Sequence, residues 1–180
     1  IHDNNVSGRG GVLHMDAASN IFQNVYIHYN TIINNAAQNE GGFMYVESTT
    51  TASPQLVELF NNSFEDNTAS NGGAIFLRNS FSQNVAVRSN VILNNHADLN
   101  GGFLSLSGSP TMTQFEFAYN LGYGNSVVDG GGVFFALSAN MTVTATNNTW
   151  ENNSAGEYGG GVYHFQPTLL DFSSRNETFQ

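Results

Sequence analysis

The chain has 180 residues, of which only 10% are charged while 40% are hydrophobic and 12% aromatic. Fourteen acidic residues stand against Arg9, Arg78, Arg88 and Arg175, a net charge of −10, so nucleic acid and anionic membranes are excluded as partners by repulsion. The absence of cysteine excludes a disulfide scaffold and a thiolate metal site, and no apolar run approaches the roughly 18 residues of a membrane helix.

Taken in chain order, the first segment runs from Asn5 to the pair Gly10-Gly11 and the apolar stretch 12–15. A strand follows in which Val25 and Ile27 fall on one side and Tyr26 and His28 on the other. Ile32 then stands three residues before Asn35, and the pattern restarts at Gly41-Gly42. It returns with Val57/Leu59 against Glu58/Phe60, with Phe64 before Asn67, and with Gly72-Gly73. It continues with Val85/Val87 against Ala86/Arg88, Ile92 before Asn95, and Gly101-Gly102. Phe115/Phe117 against Glu116/Ala118 lead to Asn125 and Gly131-Gly132. Val143/Ala145 against Thr144/Thr146 lead to Trp150, Asn153 and Gly160-Gly161. At the fourth occurrence Gly122 replaces the large apolar residue, and Tyr123 is expected to take over its space.

Spacings of 29 to 31 residues between the second glycines (Gly11, Gly42, Gly73, Gly102, Gly132, Gly161) make this a repeat. Alternation of period two, rich in β-branched and aromatic residues, is strand periodicity, and no window carries a helical period. A repeat of about 30 residues cannot bury its apolar face alone, so the repeats must stack. The fold class is all-β: a right-handed parallel β-helix of about six coils. One domain spans residues 1–180, expected to be a mature product or a segment of a longer extracellular rod, since Ile1 opens inside the repeating pattern. Inward columns place like on like, as with Leu13, Met44, Ile75, Leu104, Phe134 and Tyr163. Asn5, Asn35, Asn67, Asn95, Asn125 and Asn153 form a structural ladder, each amide bonding the next one coil away.

The sequence Phe64-x-x-Asn67 followed by Gly72-Gly73-Ala74-Ile75 resembles the FxxN and GGA[ILV] repeats of the chlamydial polymorphic membrane proteins. Ile32-x-x-Asn35, Ile92-x-x-Asn95 and Trp150-x-x-Asn153 are its relatives here. The resemblance implies a surface-exposed β-helical passenger with an adhesive function, although the family's carboxyl-terminal membrane barrel is not in this chain.

The expected function is therefore a non-enzymatic extracellular or cell-surface protein, adhesin-like or filament-forming. The alternatives are a polysaccharide lyase or hydrolase, or a carbohydrate-binding module. Glycoside hydrolysis needs two carboxylates about 5–10 Å apart. Glu65 and Glu151 share a column but lie three coils apart, and Glu58 and Glu116 are separated by Ala86. Arg88 is expected to form a surface ion pair. Glu40, Asp98, Asp129 and Glu157 sit near the Gly-Gly corner and read as turn formers. Calcium at that corner has no GGxGxD repeat behind it, and His2, His14, His28, His96 and His164 show no ligand geometry, so no catalytic residue, metal site or cofactor is assigned.

On the first strand after each glycine pair, alternation places Phe43, Tyr45, Phe76, Phe103 and Phe135 on one outer face. That stripe is expected to bind a host or matrix protein, a glycan or a neighbouring copy, unless the insertion 47–55 folds over it. Glycosylation sequons begin at Asn5, Asn61, Asn140, Asn147, Asn152 and Asn176. Asn5, assigned to the ladder, is expected to stay bare, while Asn61, Asn140, Asn147 and Asn152 are expected to carry glycans in a eukaryotic source. Neither end shows an obvious polar cap, so end-to-end association with copies of itself is the expected assembly.

Overall fold

A computed structural model describes residues 1–17, 24–48, 55–79, 83–108, 113–137, 140–157, 161–165 and 169–180. The chain is a parallel β-solenoid built from four six-stranded sheets, and each coil adds one strand to each sheet in a fixed order. The second coil shows the pattern: Ala36–Ala37 in sheet I, Met44–Ser48 in sheet II, Gln55–Phe60 in sheet III and Ser63–Glu65 in sheet IV. The third coil repeats it with Thr68–Asn71, Ile75–Asn79, Gln83–Arg88 and Val91–Leu93.

Register follows the repeat. Leu13, Met44, Ile75, Leu104, Phe134 and Tyr163 are successive partners in sheet II. Ile32, Phe64, Ile92, Gly122, Trp150 and Phe179 are successive partners in sheet IV. With Val57, Leu59, Val85, Val87, Phe115, Phe117 and Val143 of sheet III, the inner members of these columns make one buried core, and Phe179 in the last coil is exposed. Stacking identical coils buries on each strand what no single coil could cover.

Three corners hold the coil in shape. Between sheets III and IV, and again between IV and I, the chain turns through two residues: one at positive φ pointing outward, then one pointing inward. The positive-φ residues of the first set are Tyr29, Asn61, Ser89, Tyr119, Asn147 and Asn176, and of the second Asp3, Asn34, Asp66, Asn94, Gly124 and Asn152. The inward residue is nearly always asparagine, and it builds two ladders.

In the ladder between sheets IV and I, Asn35 Nδ2 donates to Asn67 Oδ1 (3.0 Å), Asn67 to Asn95 (2.9 Å), Asn95 to Asn125 (3.0 Å) and Asn125 to Asn153 (2.9 Å). Each amide also satisfies backbone. Asn67 Nδ2 donates a second time to the Ile32 carbonyl at 3.0 Å, and its Oδ1 accepts the Asn35 backbone N–H at 3.1 Å. A buried amide with every group paired costs nothing for its burial and fixes the register. The first rung is Asn4, not Asn5: Asn4 Nδ2 donates to Asn35 Oδ1 at 2.9 Å, while Asn5 opens the sheet I strand opposite Ala36 and is exposed. The rung must follow the positive-φ residue, here Asp3, and distance from the glycine pair does not mark it.

A second, equivalent ladder joins sheets III and IV through Asn30, Asn62, Asn90, Asn120 and Asn148. Its sixth member is Glu177. One carboxylate oxygen accepts Asn148 Nδ2 at 2.8 Å and the Asn148 backbone N–H at 3.0 Å. The other accepts Trp150 Nε1 at 2.8 Å and the Tyr163 hydroxyl at 3.1 Å. Burial pushes the Tyr163 phenol well above its ordinary pKa, and the nearby Glu177 charge adds to the shift.

The third corner is the glycine pair. The first glycine takes positive φ, as at Gly72 (60°) and Gly101 (64°). The second leaves no room for a side chain: a Cβ on Gly73 would lie 2.0 Å from the Gly102 carbonyl oxygen of the next coil. Just after it, two successive N–H groups share one carbonyl, as Phe43 and Met44 do with Ala74. This bulge turns both side chains inward.

Two expectations change as a result. Phe43 and Phe103 lie in the core, with ring centroids 6.1 and 5.0 Å from Phe64. Tyr123 does not fill the space at Gly122, being 43% exposed on the outer side. The Trp150 indole of the next coil takes that space, and a Cβ at Gly122 would stand 2.3 Å from it.

Candidate functional site

Function in a solenoid of this kind resides on outward side chains, which the stacking arranges in columns. On sheet II the outward column runs His14, Tyr45, Phe76, Ser105 and Phe135. It is not an open stripe. Tyr45 is fully buried, and Phe76 and Phe135 are 4% and 7% exposed. The Tyr45 and Phe76 rings stack with centroids 5.8 Å apart, the Arg9 guanidinium lies 4.9 Å over the Tyr45 ring, and the Tyr45 hydroxyl donates to Glu47 at 2.6 Å. Burial, reinforced by that hydrogen bond, pushes the Tyr45 phenol up to about 12. With Phe43 and Phe103 turned into the core, the five-residue aromatic face expected for a partner does not exist as a surface. The bulge removes two members, and the other three are covered. The insertion expected to fold over them centres on 49–54, outside the described residues.

On sheet III the carboxylates stand apart, as their register requires. Glu58 and Glu116 flank Ala86. Arg88 grips Glu116 through Nε at 2.9 Å and Nη2 at 2.5 Å, and His28 Nε2 lies 3.4 Å from Glu58. Glu65 and Glu151 share a sheet IV column with Leu93 and Tyr123 between them. At the acidic corner Arg9 Nε meets Glu40 at 2.6 Å, and His96 lies 3.7 Å from Asp98. Among the described residues no three His, Asp or Glu side chains converge.

The corner residues between sheets III and IV form an outward column in which Tyr29, Asn61, Tyr119 and Asn176 are exposed and Ser89 and Asn147 half-buried. The first five in chain order donate their N–H to the carbonyl at the end of the next coil's sheet III strand, as Tyr29 does to Phe60 (3.1 Å) and Tyr119 to Thr146 (3.0 Å). Asparagine, aspartate and glycine tolerate positive φ, whereas a bulky aromatic there is an outlier costing roughly 1–2 kcal/mol. Tyr29 and Tyr119 both adopt φ 58°, with 70% and 65% of their surface exposed.

The same corner rule accounts for the sequons. An outward asparagine, an inward ladder residue and a strand-opening Ser or Thr spell N-N-[ST] at Asn61, Asn147 and Asn152, and N-E-T at Asn176. Asn61, Asn152 and Asn176 are exposed. Asn147 is half-buried and accepts the Asn176 amide at 3.0 Å. Asn140 lies half-buried in the sheet III strand Asn140–Thr146. Asn5, exposed and outside the ladder, has no structural reason to stay bare.

No curated protein and no solved structure matches the chain. Residues 63–78, which carry Phe64, Asn67 and the Gly72-Gly73 corner, match the Chlamydia polymorphic membrane protein repeat, and the solenoid therefore contains a repeat of that type.

Proposed function

We propose that the chain is a non-enzymatic, surface-exposed β-solenoid that acts as an adhesin, presenting its outward columns to a host or matrix partner. The observation that carries this reading is the polymorphic-membrane-protein-type repeat at residues 63–78, set in a scaffold that reproduces its geometry coil after coil. That repeat type is consistent with an outer-membrane or cell-surface location and with a binding rather than a catalytic role. Two features of the chain support it. On sheet III Glu116 is engaged by Arg88 and Glu58 stands apart from it across Ala86, and the rigid ladders fix outward side chains over a long, regular surface.

Labelled chain should bind animal cells or extracellular matrix saturably and be competed by unlabelled chain. Absence of saturable binding would overturn the adhesin reading, and depolymerisation of acidic polysaccharides, with or without calcium, would overturn the non-enzymatic one.

A further inference from the structure

We infer that the corner between sheets III and IV binds a neutral oligosaccharide lying along the rod, with Tyr29 and Tyr119 as stacking platforms. This inference gives a ligand class to the adhesive surface proposed above and rests on that reading.

The first three coils form a shallow, open groove of about 330 Å³ at this corner, bordered by Tyr29. Thr31, Asn61, Ser63 and Ser89 line it, and among the described residues none of these four side chains hydrogen-bonds to the rest of the chain. Behind them the Nδ2 groups of the ladder residues Asn30 and Asn62 are spent on the next rung and on backbone carbonyls. The groove therefore offers three hydroxyls and one primary amide to a ligand, and its lining contains no charged residue. Neutral donors and acceptors beside an exposed aromatic ring suit a molecule with a hydroxyl rim and an apolar C–H face, which describes a sugar ring.

The platform is held in place. Phe60 meets the Tyr29 ring edge-on at 5.5 Å and 89°, and His28 meets it at 6.4 Å and 89°. Tyr119 stands in the same column three coils further on, about 14 Å away on the usual strand spacing. Asn61 and Ser89 lie between the two tyrosines, so a linear oligosaccharide stacked on both would pass over them.

The choice of residue carries the inference further. Asparagine occupies the same corner at residues 61, 147 and 176 with no steric objection to positive φ. A tyrosine there is unfavourable for the backbone and leaves most of its ring in water, at 70% exposure for Tyr29 and 65% for Tyr119; strain of this kind clusters at binding sites.

The test uses the full chain made in cells that do not N-glycosylate, because a glycan on Asn61 would fill the groove. An array of neutral and anionic oligosaccharides, followed by calorimetric titration of the best ligand, should reveal a neutral one. Tyr29→Asn and Tyr119→Asn should each weaken its binding about tenfold, the worth of one stacking contact, while the melting temperature stays level or rises. Tyr29→Phe should retain binding. No neutral ligand, anionic ligands alone, or unchanged affinity in both asparagine variants would overturn the inference. Cell adhesion that persists without any glycan ligand would sink it while leaving the adhesin reading intact. Loss of affinity accompanied by a lower melting temperature would mark the tyrosines as structural and also overturn it.

Discussion

Replacing Asn95 with alanine tests whether the ladders hold the fold. The Asn95 side chain is fully buried. Its Nδ2 donates to Asn125 Oδ1 and to the Phe64 carbonyl, both at 3.0 Å, and its Oδ1 accepts the Asn67 backbone N–H at 3.1 Å and Asn67 Nδ2 at 2.9 Å. Alanine would orphan two N–H groups of Asn67 outright. It would also remove one donor each from Asn125 and Phe64, although the backbone N–H at 95 still reaches Asn125 Oδ1 at 3.0 Å. An orphaned buried donor costs about 1–3 kcal/mol, so the two together, with the weakened acceptors, predict a loss of about 3–5 kcal/mol. Asn94→Gly changes only the outward neighbour, at a φ of 50° that glycine accepts, and should cost about 1 kcal/mol or less. Urea denaturation followed by far-ultraviolet circular dichroism measures both. A loss below about 1 kcal/mol for Asn95→Ala would refute the reasoning, because a ladder that can be interrupted so cheaply cannot be what sets the coil register.

Gly122→Ala should destabilise by about 1–3 kcal/mol through overpacking and shift the fluorescence of Trp150, the sole tryptophan, because the new methyl would collide with its indole. Glu177→Ala should cost about 2–4 kcal/mol, since four donors from Asn148, Trp150 and Tyr163 lose their acceptor; a thermal melt indistinguishable from the parent would contradict this. Tyr45 predicts an alkaline transition. Its folded phenol titrates at about 12 against about 10 when unfolded. The neutral form is thus favoured by folding, and the contribution is complete below pH 10 and lost between pH 10 and 12. Tyr45→Phe should remove that part of the alkaline loss, and an unchanged profile would count against it.

The solenoid was legible in the sequence because its period, glycine pairs and alternating strands all report the same geometry. The aromatic face was misread because simple alternation was carried one residue too far towards the glycines. Two adjacent N–H groups sharing one carbonyl is a backbone event, and neither Phe43 nor Phe103 carries a mark of it. The second ladder had a visible signal that was passed over: an asparagine five residues before each later rung, as in 62/67, 90/95, 120/125 and 148/153. Asn4 and Asn5 could not be separated by counting from Gly10-Gly11, because the stretch between ladder and glycines varies in length. Once the two-residue corner is known, Asp3-Asn4 reads like Asn34-Asn35. The tyrosine corner was invisible for a related reason. Tyr29 and Tyr119 look like ordinary strand residues until the backbone shows them at positive φ.

Both ladders give the molecule an arrow. At every rung the earlier coil is the donor and the later coil the acceptor, so the two faces of any coil are chemically unlike. Whatever continues these hydrogen-bond chains must join in the same sense. A two-fold, face-to-face pairing would oppose like groups, whereas a head-to-tail contact matches donor to acceptor and extends the rod wherever its rotation does not close a ring.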